Sequence, residues 1–224
     1  MKAFCSWSGG KDCCLALNRA LEKGYNVTHL LTMFDENGEK SRSHGISKEL
    51  MQKQCDHLGI ELFIIKSSWQ NYQNNYIEGI KTLQTLGCEY GIFGNIDEED
   101  YDGWLENIKN ETGIKTLLPL YKETRENLIN EFVKNKFKSI IVCVNGYYLS
   151  RDFCGREYNL EFIKDLPDTV DKCGENGEFH TFVFDGICFL NKLELKVEEV
   201  YSYTSNYIME NNKVKEYYYA KLCY

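Results

Sequence analysis

The chain has 224 residues, 43% of them apolar and 27% charged, which excludes a disordered, charge-rich polymer and gives one ordinary domain or one with a smaller appendage. A formal charge of −8 argues against a nucleic-acid partner, because affinity for a phosphate backbone comes from clustered Lys and Arg. Ten cysteines lie scattered with no C-x-x-C pair, Met1 to Trp7 lacks the apolar core of an export signal, and no stretch approaches a membrane span. Free thiols, a cytoplasmic location and no membrane partner are the expectation.

Lys2 to Trp7 reads as a buried strand, Ser8-Gly9-Gly10 as a glycine loop, and the apolar periodicity through Leu15, Leu17 and Leu21 as a helix. Asp12 sits where an N-cap or first-turn acid belongs, and Gly24 where a helix C′ residue belongs. The alternation continues with a strand over Val27 to Phe34, a helix over Ser47 to Leu58 closed by Gly59, and a strand over Glu61 to Ile65. Next come a helix over Gln70 to Leu86, a strand over Tyr90 to Phe93 and helices near Tyr101 to Glu111 and Arg125 to Lys134. The strand Ser139 to Val144 closes this series. Strands alternating with such helices predict βαβ units, hence an α/β fold with a parallel sheet flanked by helices.

Beyond about Asn145 glycines divide shorter segments, with strand-like runs at Thr181 to Phe184 and Phe189 to Val197. A smaller C-terminal mixed α/β subdomain over 146–224, following a nucleotide-binding domain over 1–145, is the economical division. Tyr201, Tyr203 and Tyr217 to Tyr219 offer a stacking surface, but such residues favour strands in any case.

A glycine turn between a first strand and a helix points backbone N–H groups at an anion, and the helix dipole adds to the attraction. Gly9 and Gly10 allow close approach, Ser8 adds a hydroxyl, Lys11 a point charge, and Asp12 a carboxylate for Mg²⁺. Neither G-x-x-x-x-G-K-[ST] nor G-x-G-x-x-G occurs, so terminal-phosphate and dinucleotide loops of those types are excluded. A second polar stretch, Cys173-Gly174-Glu175-Asn176-Gly177-Glu178-Phe179-His180-Thr181, holds two carboxylates and a histidine within six positions. It is a structural loop running into a strand, or a source of acid-base groups, a metal ligand or an amine-orienting cluster.

The run Ser8-Gly9-Gly10-Lys11-Asp12-Cys13 resembles the signature loop of N-type ATP pyrophosphatases, with Cys13 where a Ser is usual. The stretch Gly174 to Thr181 resembles the C-terminal motif of the diphthine-ammonia ligase (diphthamide synthetase) family, and Arg42 to Gly45, Gly91 to Ile96 and Pro119-Leu120 match in part. The resemblance covers nearly the whole chain and implies an adenine nucleotide alpha hydrolase-like, Rossmann-like fold. Asn95 stands where the family commonly has Asp, and an arginine usual near Asp102 is missing. The context of Trp104 and the run Leu166 to Cys173 is similar to a bacterial branch linked to cobamide salvage.

The resemblance further implies ATP and Mg²⁺ as cofactors and ammonia as a second substrate. The acceptor would be a carboxyl group, either diphthine on an elongation factor or a small molecule such as a corrinoid acid. Carboxylate attack on the α-phosphorus would release pyrophosphate, and ammonia would then give an amide and AMP. The residues implied as catalytic are Lys11, Asp12, Glu175, Glu178 and His180. Ser8 to Cys13, Phe34 and Gly94 would hold the nucleotide, with Asp12 also the metal ligand. Asn95, Gly174, Glu175, Asn176 and Glu178 would meet the substrate, and the loop histidine His44 either faces it too or is simply solvated. His29 and His57 read as structural, and Asp97 to Asp100 as a solvated helix start. Rivals are sulfur transfer to tRNA, against which the acidic balance counts, and a non-catalytic ATP-binding sensor. A homo-oligomer is compatible with the residues.

Overall fold

The computed structural model describes residues 1–42, 44–97, 103–208 and 214–224, the side chains of 205–208 and 214–215 excepted. Two sheets share one core. The first is wholly parallel, built from β1 (Lys2–Ser6), β2 (Asn26–Phe34), β3 (Glu61–Lys66), β4 (Tyr90–Ile92) and β5 (Lys115–Leu117) in the order β3-β2-β1-β4-β5. The second is antiparallel, in the order β7-β6-β9-β8, from β6 (Lys138–Asn145), β7 (Phe179–Asp185), β8 (Lys196–Ile208) and β9 (Val214–Cys223).

Five helices connect the early strands: α1 (Lys11–Glu22), α2 (Lys48–Leu58), α3 (Tyr72–Thr85), α4 (Trp104–Thr112) and α5 (Arg125–Lys134). Their apolar stripes cover both faces of the parallel sheet. Leu15 and Leu17 of α1, Leu50 and Met51 of α2 and Leu128 of α5 pack on one face, in one cluster with Val144, Phe182 and Val183 of the second sheet. Tyr76, Ile80 and Leu83 of α3 and Leu105 and Ile108 of α4 pack on the other. Gly59 closes α2 in the left-handed conformation, and Ser47 caps its start by accepting from the Leu50 N–H. Asp12 lies in the first turn of α1, whose cap is Gly10, and Gly24 follows its end at φ 80°.

The α/β expectation holds, with three differences. The strand at 138–145, expected in the parallel series, pairs antiparallel with β7 and β9. Sheet membership therefore changes one strand ahead of residue 145. Its apolar run is continuous because both its faces are buried, and that pattern is common to parallel strands and central antiparallel ones. The strand expected over Phe189 to Val197 begins at Lys196. The residues ahead of it are pegs instead: Leu193 is buried with its N–H on Phe184 O, and the Leu190 N–H donates to His57 O. The three residues of β5 and the short helix α6 (Leu160–Asp165) were too brief for periodicity to register. The helix expected from Tyr101 is described from Trp104; Glu98 to Asp102, part of the acidic run included, lie outside the described residues.

Order 3-2-1-4-5 reverses direction between β1 and β4, and open parallel sheets bind ligands at the carboxyl ends beside such a reversal. The loop after β1 is the glycine loop, and the loop after β4 carries Gly94. A Cβ on Gly94 would stand 3.1 Å from the Asp12 carbonyl carbon and the Cys13 nitrogen, so a side chain there would push this loop away from the first turn of α1.

Arg19 ties α1 to α5: its guanidinium meets both Glu131 oxygens, Glu123 and the Pro119 carbonyl at 2.5–3.1 Å. Arg19→Met removes charge-assisted bonds from a largely buried position and is expected to cost about 1–3 kcal/mol, read as a lower urea midpoint. An unchanged midpoint would show that water replaces these bonds without loss.

Candidate functional site at the first β-α turn

Gly9 adopts φ 81°, and a side chain there would meet Gln54 Oε1 and the Phe182 ring at 3.0 Å. A Cβ on Gly10 would stand 2.8 Å from the His44 ring and 3.2 Å from Thr181 O. The glycines thus serve the packing of α2, the 41–47 loop and β7 around the turn as well as any close approach by an anion. The first-turn N–H groups of α1 have no intrahelical acceptors. The Lys11 N–H donates to Thr181 Oγ1 at 3.0 Å, leaving the turn's positive end bounded by β7.

Gln54 holds this arrangement. Fully buried, it accepts from Trp7 Nε1 at 2.9 Å and donates from Nε2 to Gly9 O at 2.9 Å and Val183 O at 2.6 Å. The Val183 N–H also donates to Gly9 O, at 2.9 Å. The two motifs at opposite ends of the chain meet here, with Thr181 and Val183 of one bonded to the loop of the other. Gln54 is not among the expected site residues, and the sequence marks Thr181 and Trp7 only as the end of the C-terminal motif and of the first strand. Gln54 left one trace, a polar residue on the buried stripe Leu50, Met51, Gln54, Cys55, Leu58.

Lys11 is buried, with Nζ 2.8 and 2.7 Å from the Asp12 carboxylate oxygens. Burial works to lower its pKa, but Asp12, helped by Cys173 and Glu175, outweighs that and the net shift is upward, so the ammonium stays charged. The Cys13 thiol donates to Gly10 O at 3.1 Å, and burial raises its pKa. It is a protonated member of the loop, where a hydroxyl would have been the usual donor.

Two cavities flank the loop. One, about 220 Å³, lies at the carboxyl ends of β1 and β2, where Trp7, Met33, Arg42, Tyr72 and Gly94 contribute to its wall. The other, about 240 Å³, is bounded by Lys11, Cys173, Gly174, Glu175 and His180. Ser8, Asp12 and His44 line both.

His44 Nδ1 donates to Thr181 O at 2.9 Å, leaving Nε2 as an acceptor, and its ring lies 4.6 Å from that of His180. Desolvation, with Lys11 nearby, pulls His44 down to about 4; desolvation, His44 and Lys11 pull His180 down to about 3. Both imidazoles are neutral at pH 7. Desolvation and the charge of Asp12 push Glu175 up to about 7, against the pull of Lys11 and Arg125. Glu175 and the two neutral histidines line one cavity, and side chains of these types are the usual proton-transfer groups.

Other expected site residues are not brought to the cavities. Glu178 is 1% exposed, and its carboxylate accepts from the Asp171 and Asn176 N–H groups and from Asn176 Nδ2 at 2.9–3.0 Å. It and Asn176 shape the loop that presents Glu175. Phe34 is sealed in the core while Leu31, Thr32 and Met33 reach the first cavity. Asn95 lines neither cavity. His29 lies beside Glu61, His57 bonds Asn191 O, and Asp97 pairs with Arg125. Among the described residues no group of three His, Cys, Asp or Glu side chains is placed to hold a metal, and no helix is long and apolar enough to cross a membrane.

The fold and this turn define an α/β protein with a glycine turn at the switch point of a parallel sheet. Residues 1–116 match the diphthamide synthase N-terminal domain and 124–217 the diphthamide synthase C-terminal domain. The chain belongs to the diphthamide synthase family. It is 23% identical to a diphthine--ammonia ligase of Schizosaccharomyces pombe, over 92% of this chain and 38% of that protein. It is 25% identical to diphthine--ammonia ligases of Mus musculus (89% of this chain, 84% of that one) and Rattus norvegicus (86% and 82%). The chain therefore spans well under half of the fission-yeast relative and most of the rodent ones. A predicted subunit of tRNA methyltransferase from Methanocaldococcus jannaschii superposes with a TM-score of 0.41 at 16% identity, over 64% of this chain and 77% of that one.

Gln54→Leu leaves Trp7 Nε1 and Val183 O without their side-chain partner and is expected to cost about 2–4 kcal/mol. Gln54→Glu, which turns a carboxylate oxygen toward two carbonyls, should be worse than Gln54→Leu. Both should weaken ATP binding by calorimetry. Equal ATP affinity in all three proteins would show that the loop holds its shape unaided.

Proposed function

We propose that the chain is an ATP-dependent ligase that joins ammonia to a substrate carboxylate, releasing AMP and pyrophosphate. The observation that carries this reading is the sharing of Ser8, Asp12 and His44 by two cavities on either side of one glycine turn. Adenosine in the first cavity would direct its phosphates at the turn, with the β- and γ-phosphates at the start of α1 and the α-phosphorus at the junction. Family membership and the names of the relatives support the ligase class.

A carboxylate oxygen attacks the α-phosphorus, the bond to the bridging oxygen breaks, and pyrophosphate leaves with that electron pair. Ammonia then attacks the acyl carbon, a proton passes from nitrogen, and AMP departs with the C–O electrons. Lys11 counters charge on the leaving pyrophosphate. The glycine cradle and buried ammonium fit a polyphosphate. Asp12, facing both cavities, fits one carboxylate ligand of a Mg²⁺ otherwise held by phosphate oxygens, and that ion would add charge neutralisation. Neutral His44 and His180 accept the N–H bonds of ammonia, and Glu175 takes the proton. The N-terminal unit handles nucleotide and the C-terminal one the amine, in a cytoplasmic enzyme. The acceptor is diphthine on an elongation factor or a small carboxylic acid.

Incubation with Mg-ATP, ammonium and a panel of carboxylic acids is expected to give AMP and pyrophosphate in the presence of one acid, abolished in Asp12→Ala. ADP and phosphate would sink the α-phosphate mechanism, and intact ATP would favour a sensor. Because the base form of Glu175 is required, turnover should rise with pH through about 7. Glu175→Gln should remove that limb; a profile unchanged in the variant would take the proton away from Glu175.

A further inference from the structure

Among the described residues four buried side-chain polar atoms have no hydrogen-bond partner: Thr32 Oγ1, Arg42 Nε, Tyr76 OH and Ser139 Oγ. The first three belong to residues that line the first cavity, at the carboxyl ends of β1 and β2. A buried polar group without a partner costs about 1–3 kcal/mol, so three around one space call for a ligand that completes them.

Thr32 and Tyr76 are each 1% exposed, and they reach the cavity from different sides. Side chains alternate along β2: Leu31 and Met33 pack with Tyr76 of α3, whereas Leu30 and Phe34 pack with α1 and α2, and Thr32 shares their side. Tyr76 is fixed by other rings, its centre 5.0 Å from that of Trp104 and 6.4 Å from that of Tyr72. Ser6 stands close enough to influence the Tyr76 hydroxyl without accepting a hydrogen bond from it.

Arg42 also lines an adjoining cavity of about 360 Å³. One of its terminal nitrogens donates to Ser67 O, and its Nε, on a cation, suits an anionic oxygen such as a nucleotide's phosphate. The two neutral hydroxyls are left for an uncharged part of the same ligand.

The rest of the wall limits what that part is. Trp7, Leu31, Met33 and Tyr72 give apolar surface, and the Trp7 Nε1 proton is taken by Gln54. A sugar, with hydroxyls all round, would leave its own groups unpaired against these side chains. A flat heteroaromatic ring with one polar edge matches apolar walls and two hydroxyls. The edge of adenine formed by N1 and the 6-amino group sets an acceptor beside a donor, and a hydroxyl pairs with either.

Resting on the reading that the first cavity holds adenosine, we propose that Thr32 and Tyr76 are the residues that select the nucleobase, their hydroxyls pairing with its N1 and 6-amino edge. Neither residue takes part in the chemical step. Both act on which nucleotide is held.

The full chain would be titrated calorimetrically with the Mg²⁺ complexes of ATP, 1-deaza-ATP and purine riboside 5′-triphosphate, which lack neither group, N1 and the 6-amino group respectively. Each analogue should bind roughly tenfold more weakly than ATP, the scale of one hydrogen bond lost with its partner left unpaired. Thr32→Val and Tyr76→Phe should each erase the disadvantage of one analogue, and the double variant that of both, while Thr32→Ser keeps the preference. In the nucleotide-free protein neither single variant should lower the urea midpoint, because the hydroxyl removed has no partner there. Equal binding of all three nucleotides, a preference intact in the double variant, or a lowered midpoint in the free single variants would each overturn the assignment. AMP formation with a carboxylic acid is scored separately. A preference lost in the variants with no AMP from any acid keeps base selection and removes the ligase reading; AMP formation with no preference does the reverse.

Discussion

The peptide carbonyl of Gly9 accepts from Gln54 and from Val183, and the rest of the site depends on that junction. A glycine-rich turn has little conformational preference of its own, so its shape must be imposed by neighbours. Here a helix from the parallel sheet and a strand from the antiparallel sheet impose it together. One buried amide satisfies two carbonyls and an indole N–H at once, and low local polarity makes such a network rigid when complete and costly when broken.

This junction explains why the C-terminal motif ends in an apolar strand. Thr181 and Val183 of β7 bond the loop, Phe182 packs over Gly9, and the polar residues just before them turn Glu175 and His180 into the cavity. Glu178 makes that presentation possible by collecting the N–H groups of its own loop. Two carboxylates three positions apart therefore do different work: Glu178 is spent on backbone, and Glu175 is held near neutral pH by desolvation and Asp12.

Electrostatics divides the loop in the same way. Lys11, Glu175 and the neutral His180 line one cavity, Arg42 lines the other, and the neutral His44 lines both. Asp12 stands between, bonded to Lys11 and lining both cavities.

Local chemistry was legible without coordinates. The strand, the glycine turn, the helix that follows it and the alternation through β4 follow from apolar periodicity and turn residues, which act over a few positions. The glycine loop and the acid-rich stretch were likewise visible as clusters, and family resemblance linked them. Partnership was not legible. That β6 joins β7 and β9, that Phe34 turns inward while Arg42 bridges two cavities, and that Gln54 clamps the loop depend on contacts between distant segments. A sequence records the period of burial but not which surface does the burying. Residue types determined the elements and the candidate chemistry; tertiary packing alone decided which carboxylate is desolvated and which cavities adjoin.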